Sequence, residues 1–460
     1  MSNYLFYRRH PEYAANESLW KHALAAYTGG KNYIDQALIR HVSEIDIEFA
    51  ERRRRAYYFN YPRAIARRIT QYVLSVDPVR RNANTDMVED WSRSGLRCNE
   101  VMRQLSTLLN VYGRAWLNVE MPNFNGIPTL ERAKKERLRP YVRALSPLQV
   151  TDWAYGNDGK LLWALTAETE LLNADPFRAP VKLRRRRLYT REMWKVYELT
   201  ASGAVEVDAG INSTGVVPLI PVTEPDGFGI DAGHWFEDII RVSEAILNNE
   251  SEAQMNTVKQ MFGMLVVSES FARGAQKLSS SNSKAENFSA TVARSAAIIE
   301  GTDEKGICRY ISPSGVETAT IRAENDYLKR ELYEIVGLAI QSRSNDSQSA
   351  ESKAWDFQNA SQFLAARADL LEQSELEAWK IMHLYDLDVP VPEVIYNRKF
   401  AVRDLAEAIA GIVQLSTLDI GKSFHEAIAI AATELLDSVE PIGINRKQEI
   451  FNEIKNKELQ

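Results

Sequence analysis

The chain has little cysteine and no long hydrophobic run. Its only cysteines among 460 residues, Cys98 and Cys308, lie far apart without a CxxC partner, which argues against a disulfide framework or a thiolate metal site. We expect both to be buried free thiols. No segment approaches the roughly 18 consecutive apolar residues of a membrane span, and residues 1–10 lack the apolar core of a signal peptide. We therefore expect no membrane partner and a protein made and kept in a cytosol.

Patterns typical of catalytic and cofactor sites are also missing from the sequence. Gly29-Gly30-Lys31 has neither the upstream glycine nor the following Ser or Thr of a phosphate-binding loop. The six histidines show no HExxH motif or other metal-ligand spacing. We accordingly predict no catalytic residue, no metal site and no cofactor, and a protein that is not an enzyme.

The charge balance argues against a chain whose main task is to grip nucleic acid. The formal net charge is −6, whereas affinity for phosphates comes from clustered Lys and Arg. Two dense basic runs stand out, Arg52–Arg55 and Arg184–Arg187. Four consecutive arginines on a helix point in four directions, so we expect these runs to serve solvated faces and salt bridges between subunits rather than DNA contacts.

Hydrophobic periodicity divides the first half of the chain into helices and strands. Residues 34–76 read as helices, with one stripe from Ile34 to Phe49 and a break at Pro62 before Ala64–Leu74, and a further helix fits Cys98–Val111. The pattern then changes to alternation, which predicts a mostly antiparallel meander over residues 115–222 with a turn at Gly156–Gly159. The predicted strands are Ala115–Met121, Tyr141–Val150, Leu161–Glu168 and Arg187–Leu199.

A helix is predicted again from His234 to Phe262. Its middle, Asn248–Glu252, is polar nearly all round, which is typical of a helix packed against copies of itself rather than of central core. Residues 263–320 contain three short strand candidates, Met264–Val267, Ala297–Glu300 and Cys308–Ile311. This region also carries a polar loop of Ser279, Ser280, Ser281, Asn282 and Ser283.

The most informative stretch runs from Arg322 to Tyr385. An amphipathic helix ends at Ile340, and a much longer one is predicted from Ala350 to Tyr385, about 54 Å long at 1.5 Å per residue. The segment between them has no apolar residue to bury and many that favour turns, so we expect it to stay solvated. It consists of Gln341, Ser342, Arg343, Ser344, Asn345, Asp346, Ser347, Gln348 and Ser349.

These motifs, taken in order, resemble the portal proteins of tailed bacteriophages. Leu328–Ile335 (LKRELYEI), the polar loop, Glu351–Phe357 (ESKAWDF) and the long helix resemble the family's core. Tyr27–Tyr33 (YTGGKNY) and Glu48–Tyr61 (EFAERRRRAYYFNY) resemble its opening, where a GG..Y turn precedes a helix ending in ER..RAYY.N. The resemblance extends from about residue 15 to about residue 430 and rests on the ordered set rather than on one motif.

The resemblance implies an α+β fold that is predominantly helical, with portal-like architecture. A wing of helices followed by antiparallel strands would occupy residues 1–233, and a helical crown residues 403–460. The channel-forming parts would lie between them: stem helix 1 (234–262), a small α/β clip (263–320), stem helix 2 (321–340), the tunnel loop (341–349), and a long tunnel helix that returns to the wing (350–402).

By the same resemblance the chain forms a homo-oligomeric ring of about twelve subunits at the unique vertex of a virion capsid, assembled in the host cytoplasm. Double-stranded DNA would pass through the channel, which the loop Gln341–Ser349 would line, during packaging and ejection. The expected partners are the terminase large subunit and the head–tail adaptor, with Ser279–Ser283 as the docking surface, and the major capsid and scaffolding proteins. The alternatives are another head–tail virion ring protein, or a nucleic-acid-processing enzyme that uses the arginine runs.

Overall fold

Helices and antiparallel strands occupy separate stretches of the chain, so the α+β class predicted from the sequence is confirmed. The computed structural model divides into two units, Met1–Lys399 and Phe400–Gln460. Within the described residues, no helix is long and apolar enough to cross a membrane. The structure describes residues 2–122, 138–172, 176–177, 179–224, 234–261, 264–268, 298–300, 309–311, 315–335, 350–398, 400, 412–416, 421–439 and 444–456.

The helices before the first long strand form a bundle in which α5 and α7 pack together. Isoleucine, leucine and methionine side chains at helical spacing on these two helices are almost fully buried, which explains why both form here. The early helices are α1 (Ser2–Tyr7), α2 (Pro11–Thr28), α3 (Lys31–Ala37), α4 (Asp46–Arg55), α5 (Tyr61–Val73), α6 (Thr85–Glu89) and α7 (Cys98–Tyr112).

Two of the predicted helix boundaries are wrong. The single stripe from Ile34 to Phe49 is interrupted, because the Arg40 guanidinium donates to the carbonyl of Glu44 at 2.7 Å and holds a turn between α3 and α4. The predicted break before the next helix is present between Arg55 and Tyr61, but Pro62 itself lies in the first turn of α5, where its missing N–H leaves no hydrogen bond unmade. The N-cap of that helix is Asn60, which accepts a hydrogen bond from the Arg63 N–H at 2.9 Å.

The strands of the first half form the predicted antiparallel meander. One sheet has the order β4-β5-β6-β7-β8, and a second has β2 at its centre between β3 and β9. The turn at Gly156–Gly159 connects β4 to β5 as predicted. The strands are β1 (Val79–Arg81), β2 (Arg114–Glu120), β3 (Tyr141–Leu145), β4 (Val150–Tyr155), β5 (Leu161–Leu172), β6 (Val181–Thr190), β7 (Met193–Thr200), β8 (Gly203–Ile211) and β9 (Leu219–Thr223).

Two predicted strands are each divided in the structure. Residues 141–150 change direction after β3 through a 3₁₀ turn at Pro147–Gln149, whose N-cap is Ser146. Residues 187–199 form a hairpin rather than one strand, because the Thr190 hydroxyl accepts the Met193 N–H at 2.9 Å and closes a tight turn between β6 and β7. Polar residues that close turns therefore overrode the alternating pattern at both places.

The later elements complete the first unit. Helices α8 (Trp235–Met261), α9 (Val316–Ile335) and α10 (Ala350–Tyr385) are followed by β13 (Glu393–Ile395), which pairs with β1. The three strands predicted between α8 and α9 are confirmed, since β10 (Met264–Ser268) pairs parallel to β11 (Ile298–Glu300) and antiparallel to β12 (Arg309–Ile311).

The second unit is helical where it is described, in agreement with the prediction for residues 403–460. Its two long helices, α11 (Lys422–Val439) and α12 (Ile444–Asn456), pack against each other.

A buried carboxylate stabilises the junction of the two large sheets. Strand β2 is buried along its whole length, and Glu120 at its end is only 4% exposed. Arg143 and Arg187 donate to its Oε1 at 3.0 and 2.9 Å, and the hydroxyls of Tyr141 and Tyr189 donate as well. Burial alone would raise the pKa of Glu120, but the two guanidiniums and the hydroxyls outweigh it and lower the pKa to about 2.

We predict that Glu120→Gln lowers the free energy of unfolding at pH 7 by about 3 kcal/mol, the equivalent of its pKa depression. The wild-type advantage is fully present above the ordinary glutamate pKa, because the ionised carboxylate is then stabilised only in the folded state. It should diminish below about pH 4.5 and be nearly absent at pH 2. Urea unfolding of both proteins across this pH range measures the difference.

The matched control is Glu170→Gln, which removes a half-exposed carboxylate that pairs with Arg185 in the same sheet. An exposed pair contributes less than about 1 kcal/mol, so this variant should stay close to wild type. A difference for Glu120→Gln that does not change between pH 7 and pH 2 would contradict the assignment.

Candidate functional site: the helices that flank the polar loop

The two loops predicted as functional lie outside the described residues. These are the tunnel loop Gln341–Ser349 and the clip loop Ser279–Ser283. The structure instead describes the elements beside them: α9 is described up to Ile335, and α10 begins at Ala350 and ends at Tyr385, as predicted. Helix α9 begins at Val316, a few residues before the start at residue 321 that the sequence predicts for this helix.

Helices α8 and α9 form an antiparallel pair. Near one end Asn256 approaches Thr318 at 3.4 Å, and nearer the other the Asn249 amide donates to Asn325 at 3.0 Å. The buried positions of α9 are Thr318, Asn325 and Leu332, each seven residues from the next. This spacing is typical of one helix that contacts another along a narrow seam. Helix α9 consequently uses one narrow stripe for the pair and leaves most of its surface open.

Asn325 is the central contact of this pair. Its side chain is fully buried, accepts from Asn249, and donates to Glu250 Oε1 at 2.8 Å. Tyr57, beyond the end of α4, reaches the other oxygen of Glu250 at 3.3 Å. A buried hydrogen-bonded polar residue in a helical seam fixes register more than it adds stability. The pair is therefore aligned by one specific hydrogen-bonded group.

The polar middle of α8 is also buried in part, contrary to the expectation for Asn248–Glu252. Ser251 is almost fully buried and accepts a hydrogen bond from Arg52 Nη1 at 2.9 Å, and Asn248 donates to the carbonyl of Ala37 at 3.1 Å. These polar residues attach α8 to α3 and α4 of the same chain, which the helical periodicity of α8 alone could not indicate.

Arg52 corrects the interpretation of the first arginine run. Its side chain is 3% exposed and donates to both oxygens of Glu44, at 2.8 and 2.7 Å. Arg53 pairs with Asp35 at 3.3 Å, and Arg55 pairs with Glu51 at 2.8 Å. One arginine of the run is thus a buried structural residue, and the expectation of a solvated face is wrong for it.

The second arginine run lies on strand β6, so its members alternate between the two faces of a sheet. On one face, Arg185 pairs with Glu198 at 3.0 Å and Arg187 pairs with Glu120. On the other face, Arg186 is 5% exposed and donates to the carbonyl of Phe6 at 3.2 Å. Burial lowers the pKa of the Arg186 guanidinium to about 10. Arg184 lies 5.9 Å from the centre of the Phe6 ring, so all four arginines make contacts within the chain. The solvated-face expectation fails for Arg186.

The second half of α10 is anchored by a buried carboxylate, Glu375, which is fully buried. Arg80 donates to its two oxygens at 2.6 and 2.9 Å, the Tyr396 hydroxyl donates at 2.6 Å, and the Trp379 indole at 3.2 Å. The Cys98 thiol is 3.4 Å away, and burial raises its pKa. Residues nearly 300 positions apart in sequence thus meet at one carboxylate.

A half-buried carboxylate, Glu224, joins α10 to the start of α8. Glu224 accepts from His234 at 3.0 Å and from Arg367 of α10. Burial would raise the pKa of Glu224, but these two partners outweigh it and lower the pKa. The Arg367 guanidinium also lies 5.1 Å from the centre of the Phe363 ring. The start of α8 and the middle of α10 are consequently held next to each other by Glu224.

The charges along α8 and α9 are predominantly acidic. Helix α8 carries five acidic and two basic residues, and α9 carries five acidic and three basic residues, a net charge of −5 for the pair. Most of the α9 charges are exposed. They are Glu317, Arg322, Glu324, Asp326, Arg330 and Glu334.

Two further findings bear on whether the chain could bind a small molecule or a metal ion. A cavity of about 530 Å³ beside Glu120 is lined by Tyr141, Arg187, Trp194 and Tyr385 among others, but Arg187 and Tyr141 already bind that carboxylate. In the part of the chain that the structure describes, no three His, Cys, Asp or Glu side chains are placed to hold a metal ion. Cys98 is a buried free thiol, as expected, whereas Cys308 lies outside the described residues.

Sequence reasoning missed Arg52, Glu120, Glu224 and Glu375 as the residues that position these helices. Of these four residues, only Arg52 could have been suspected from the sequence, because its partner Glu44 lies just eight residues before it. The partners of these carboxylates are spread through the chain, so no spacing motif marks them.

A scan against protein-family models and a search of curated proteins find no match to this chain.

We predict that Glu375→Ala lowers the free energy of unfolding by about 3–5 kcal/mol, because it leaves the buried Arg80 without its counter-charge. Glu377→Ala, two residues further along the same helix, removes an exposed pair with Lys380 and should cost less than about 1 kcal/mol. Chemical unfolding followed by tryptophan fluorescence measures both. Equal losses for the two variants would show that Glu375 is not an anchor.

Proposed function

We propose that the chain is a portal protein: the subunit of a homo-oligomeric ring at one vertex of a virion capsid, through which double-stranded DNA is packaged and ejected. The observation that carries the proposal is the arrangement of α8, α9 and α10. An antiparallel helix pair is fixed to a helical and antiparallel-strand body, and a segment of polar, turn-favouring residues, Gln341–Ser349, lies between α9 and α10 in the sequence.

The antiparallel pair of α8 and α9, called the stem pair below, supports a ring because much of the α9 surface is not buried within one chain. Among residues 316–334 of α9, only Thr318, Asn325 and Leu332 are buried, and the others are exposed or half-exposed. A helix held by so narrow a stripe gains most of its stability from tertiary packing, which neighbouring copies would supply. The antiparallel pair would then stand side by side with its equivalents around a channel.

The charge of the stem supports passage of DNA without tight binding. Duplex DNA carries about one negative charge per 1.7 Å of its axis, so an acidic wall repels it and keeps it from adhering. The net charge of −5 on each stem pair, repeated around a ring, would give such a wall. Arg343 of each tunnel loop would then provide weak contacts that repeat evenly around the duplex.

The expected partners follow from this assignment. The terminase large subunit would supply the ATPase that drives packaging, and the head–tail adaptor would replace it on the same clip surface, Ser279–Ser283. Major capsid and scaffolding proteins would surround the ring during assembly in the host cytoplasm. The chain itself would need no cofactor and would perform no catalysis.

The alternative of a nucleic-acid-processing enzyme loses its main support in the contacts of the arginine runs. Arg52 and Arg186 are buried, and Arg185 and Arg187 are paired with carboxylates, so few of these cations are free for phosphates. Another head–tail virion ring protein remains the second candidate, because such a protein would also assemble as a ring. The arrangement of stem pair, polar loop and long helix favours the portal.

We predict that the purified chain forms closed rings with a central hole in the absence of nucleotide and hydrolyses no ATP. Negative-stain imaging and light scattering at micromolar concentration test the ring, and a phosphate-release assay tests the hydrolysis. A stable monomer, or ATPase activity that copurifies with the folded chain, would overturn the proposal.

We also predict that Arg343→Ala leaves ring assembly intact but changes DNA packaging or retention, because a lumen-facing side chain supports no subunit core. Arg343→Glu should impair packaging more, since each subunit then adds negative charge to a confined passage that salt screens only partly. Packaging assays at two salt concentrations compare the two variants. Wild-type packaging by both would place the loop away from the DNA path.

A further inference from the structure

The arginines of β6 differ from one face of the strand to the other. Arg185 and Arg187 lie on one face and bind carboxylates at 3.0 and 2.9 Å. Arg184 and Arg186 alternate with them and therefore lie on the opposite face. In the part of the chain that the structure describes, neither Arg184 nor Arg186 forms an ion pair. One face of the strand is thus neutralised, and the other carries unbalanced positive charge.

Arg184 and Arg186 lie against the same aromatic ring. Their guanidinium carbons are 5.9 and 5.2 Å from the centre of the Phe6 ring, which is buried. Arg186 Nε donates to the carbonyl of Phe6 and Nη1 donates to the Thr151 hydroxyl, both at 3.2 Å, whereas Nη2 makes no hydrogen bond to a described residue. Two like charges held on one ring repel each other unless an anion lies beside them.

A third cation, Arg9, acts on the same place. Burial lowers the pKa of Arg186 to about 10, and the positive charges of Arg9 and Arg184 add to that decrease. Glu17 acts on this pKa in the opposite direction, but its carboxylate pairs with Lys21 at 2.7 Å and therefore supplies no net negative charge. Within the described residues Arg9 forms no ion pair either. Arg9, Arg184 and Arg186 are called the arginine cluster below.

The members of the arginine cluster differ in their exposure to solvent. Arg184 is exposed and Arg9 is half-exposed, whereas Arg186 is only 5% exposed. A buried guanidinium without a counter-charge is costly, because no attractive charge offsets its desolvation. An anion that approaches Arg9 and Arg184 from solvent would offset this cost for Arg186.

The charge and the donors of the arginine cluster fit a phosphate group. A phosphate ester carries about −1.5 to −2 charges at pH 7 and three strong acceptor oxygens, and arginine donates to such oxygens as a bidentate fork. A carboxylate has one charge and two oxygens, so it would leave most of the positive charge unbalanced. A nucleic-acid strand needs cations that follow its backbone, whereas the neighbouring Arg185 and Arg187 are already paired.

We propose that the arginine cluster binds one small phosphate anion, either inorganic phosphate or the phosphate of a small phosphorylated molecule. The bound anion would connect β6 to the segment before α2 and balance the buried charge of Arg186. Because the anion would bind only the folded chain, it should raise the free energy of unfolding as its concentration rises. The site belongs to a single chain and does not depend on the ring proposed above.

The first test is Arg184→Gln in the full-length chain, titrated with inorganic phosphate at constant ionic strength. Arg184 is exposed, so without phosphate the variant should keep the circular dichroism of wild type. Loss of one charged hydrogen-bond donor should weaken phosphate binding roughly 10-fold. Arg185→Gln is the matched control, since it removes the same charge one residue further along β6, from a side chain that already binds Glu198. Calorimetric titration and the melting temperature measure the binding.

Arg9→Gln is an independent second variant, because Arg9 comes from a different segment of the chain. It should also weaken phosphate binding roughly 10-fold. Weaker binding by both variants, with wild-type affinity in Arg185→Gln, supports the arginine cluster. A melting temperature that rises no more with phosphate than with chloride overturns it. An equal loss of affinity in Arg184→Gln and Arg185→Gln would mean that phosphate responds to the general charge of the sheet, and would also overturn the site.

Other anions test the chemistry of the ligand. Acetate should raise the melting temperature less than phosphate does, and an equal rise would make this a carboxylate site and overturn the proposal. Glycerol 3-phosphate distinguishes the two sources, since tighter binding than that of inorganic phosphate supports a small phosphorylated molecule and weaker binding supports the free anion. Short duplex DNA that binds more tightly than either, and is released by Arg184→Gln, would make nucleic acid the ligand and overturn the proposal of a small anion.

Discussion

Buried or half-buried carboxylates surrounded by donors are the interaction on which the rest of this structure depends. Glu120, Glu224 and Glu375 each lie where segments distant in sequence meet, and each binds at least one arginine. Removing such a charge from water is costly, so it persists only where several donors converge. This requirement makes the three junctions selective for one arrangement of helices and sheets.

Much of the fold could be predicted from the sequence because long periodic segments leave few alternatives. Helix α10, helix α8 and the three short strands between α8 and α9 are confirmed within a residue or two. The errors fall where a single polar side chain ends an element. The Arg40 hydrogen bonds separate α3 from α4, and Thr190 folds one predicted strand into a hairpin. Such contacts are specific to the folded chain and leave no period in the sequence.

The candidate site was predictable only in outline. The sequence indicates that a polar loop lies between two helices, and the structure describes α9 up to Ile335 and α10 from Ala350. What holds those helices depends on pairs such as Arg80 with Glu375, which are 295 residues apart. A single sequence carries no information about pairing over that distance, so these anchors became visible only in three dimensions.

Helix α10 is long enough for a small rotation of its second half to displace its first residue. Its described buried side chains lie between Leu364 and Met382, while its first residue, Ala350, stands about 21 Å along the axis from the nearest of them. A rotation of about 5° at the anchored half would displace the far end by roughly 2 Å, given the rise of 1.5 Å per residue. Small rearrangements of packing around Glu375 would therefore be amplified at the end of the helix that adjoins the polar loop.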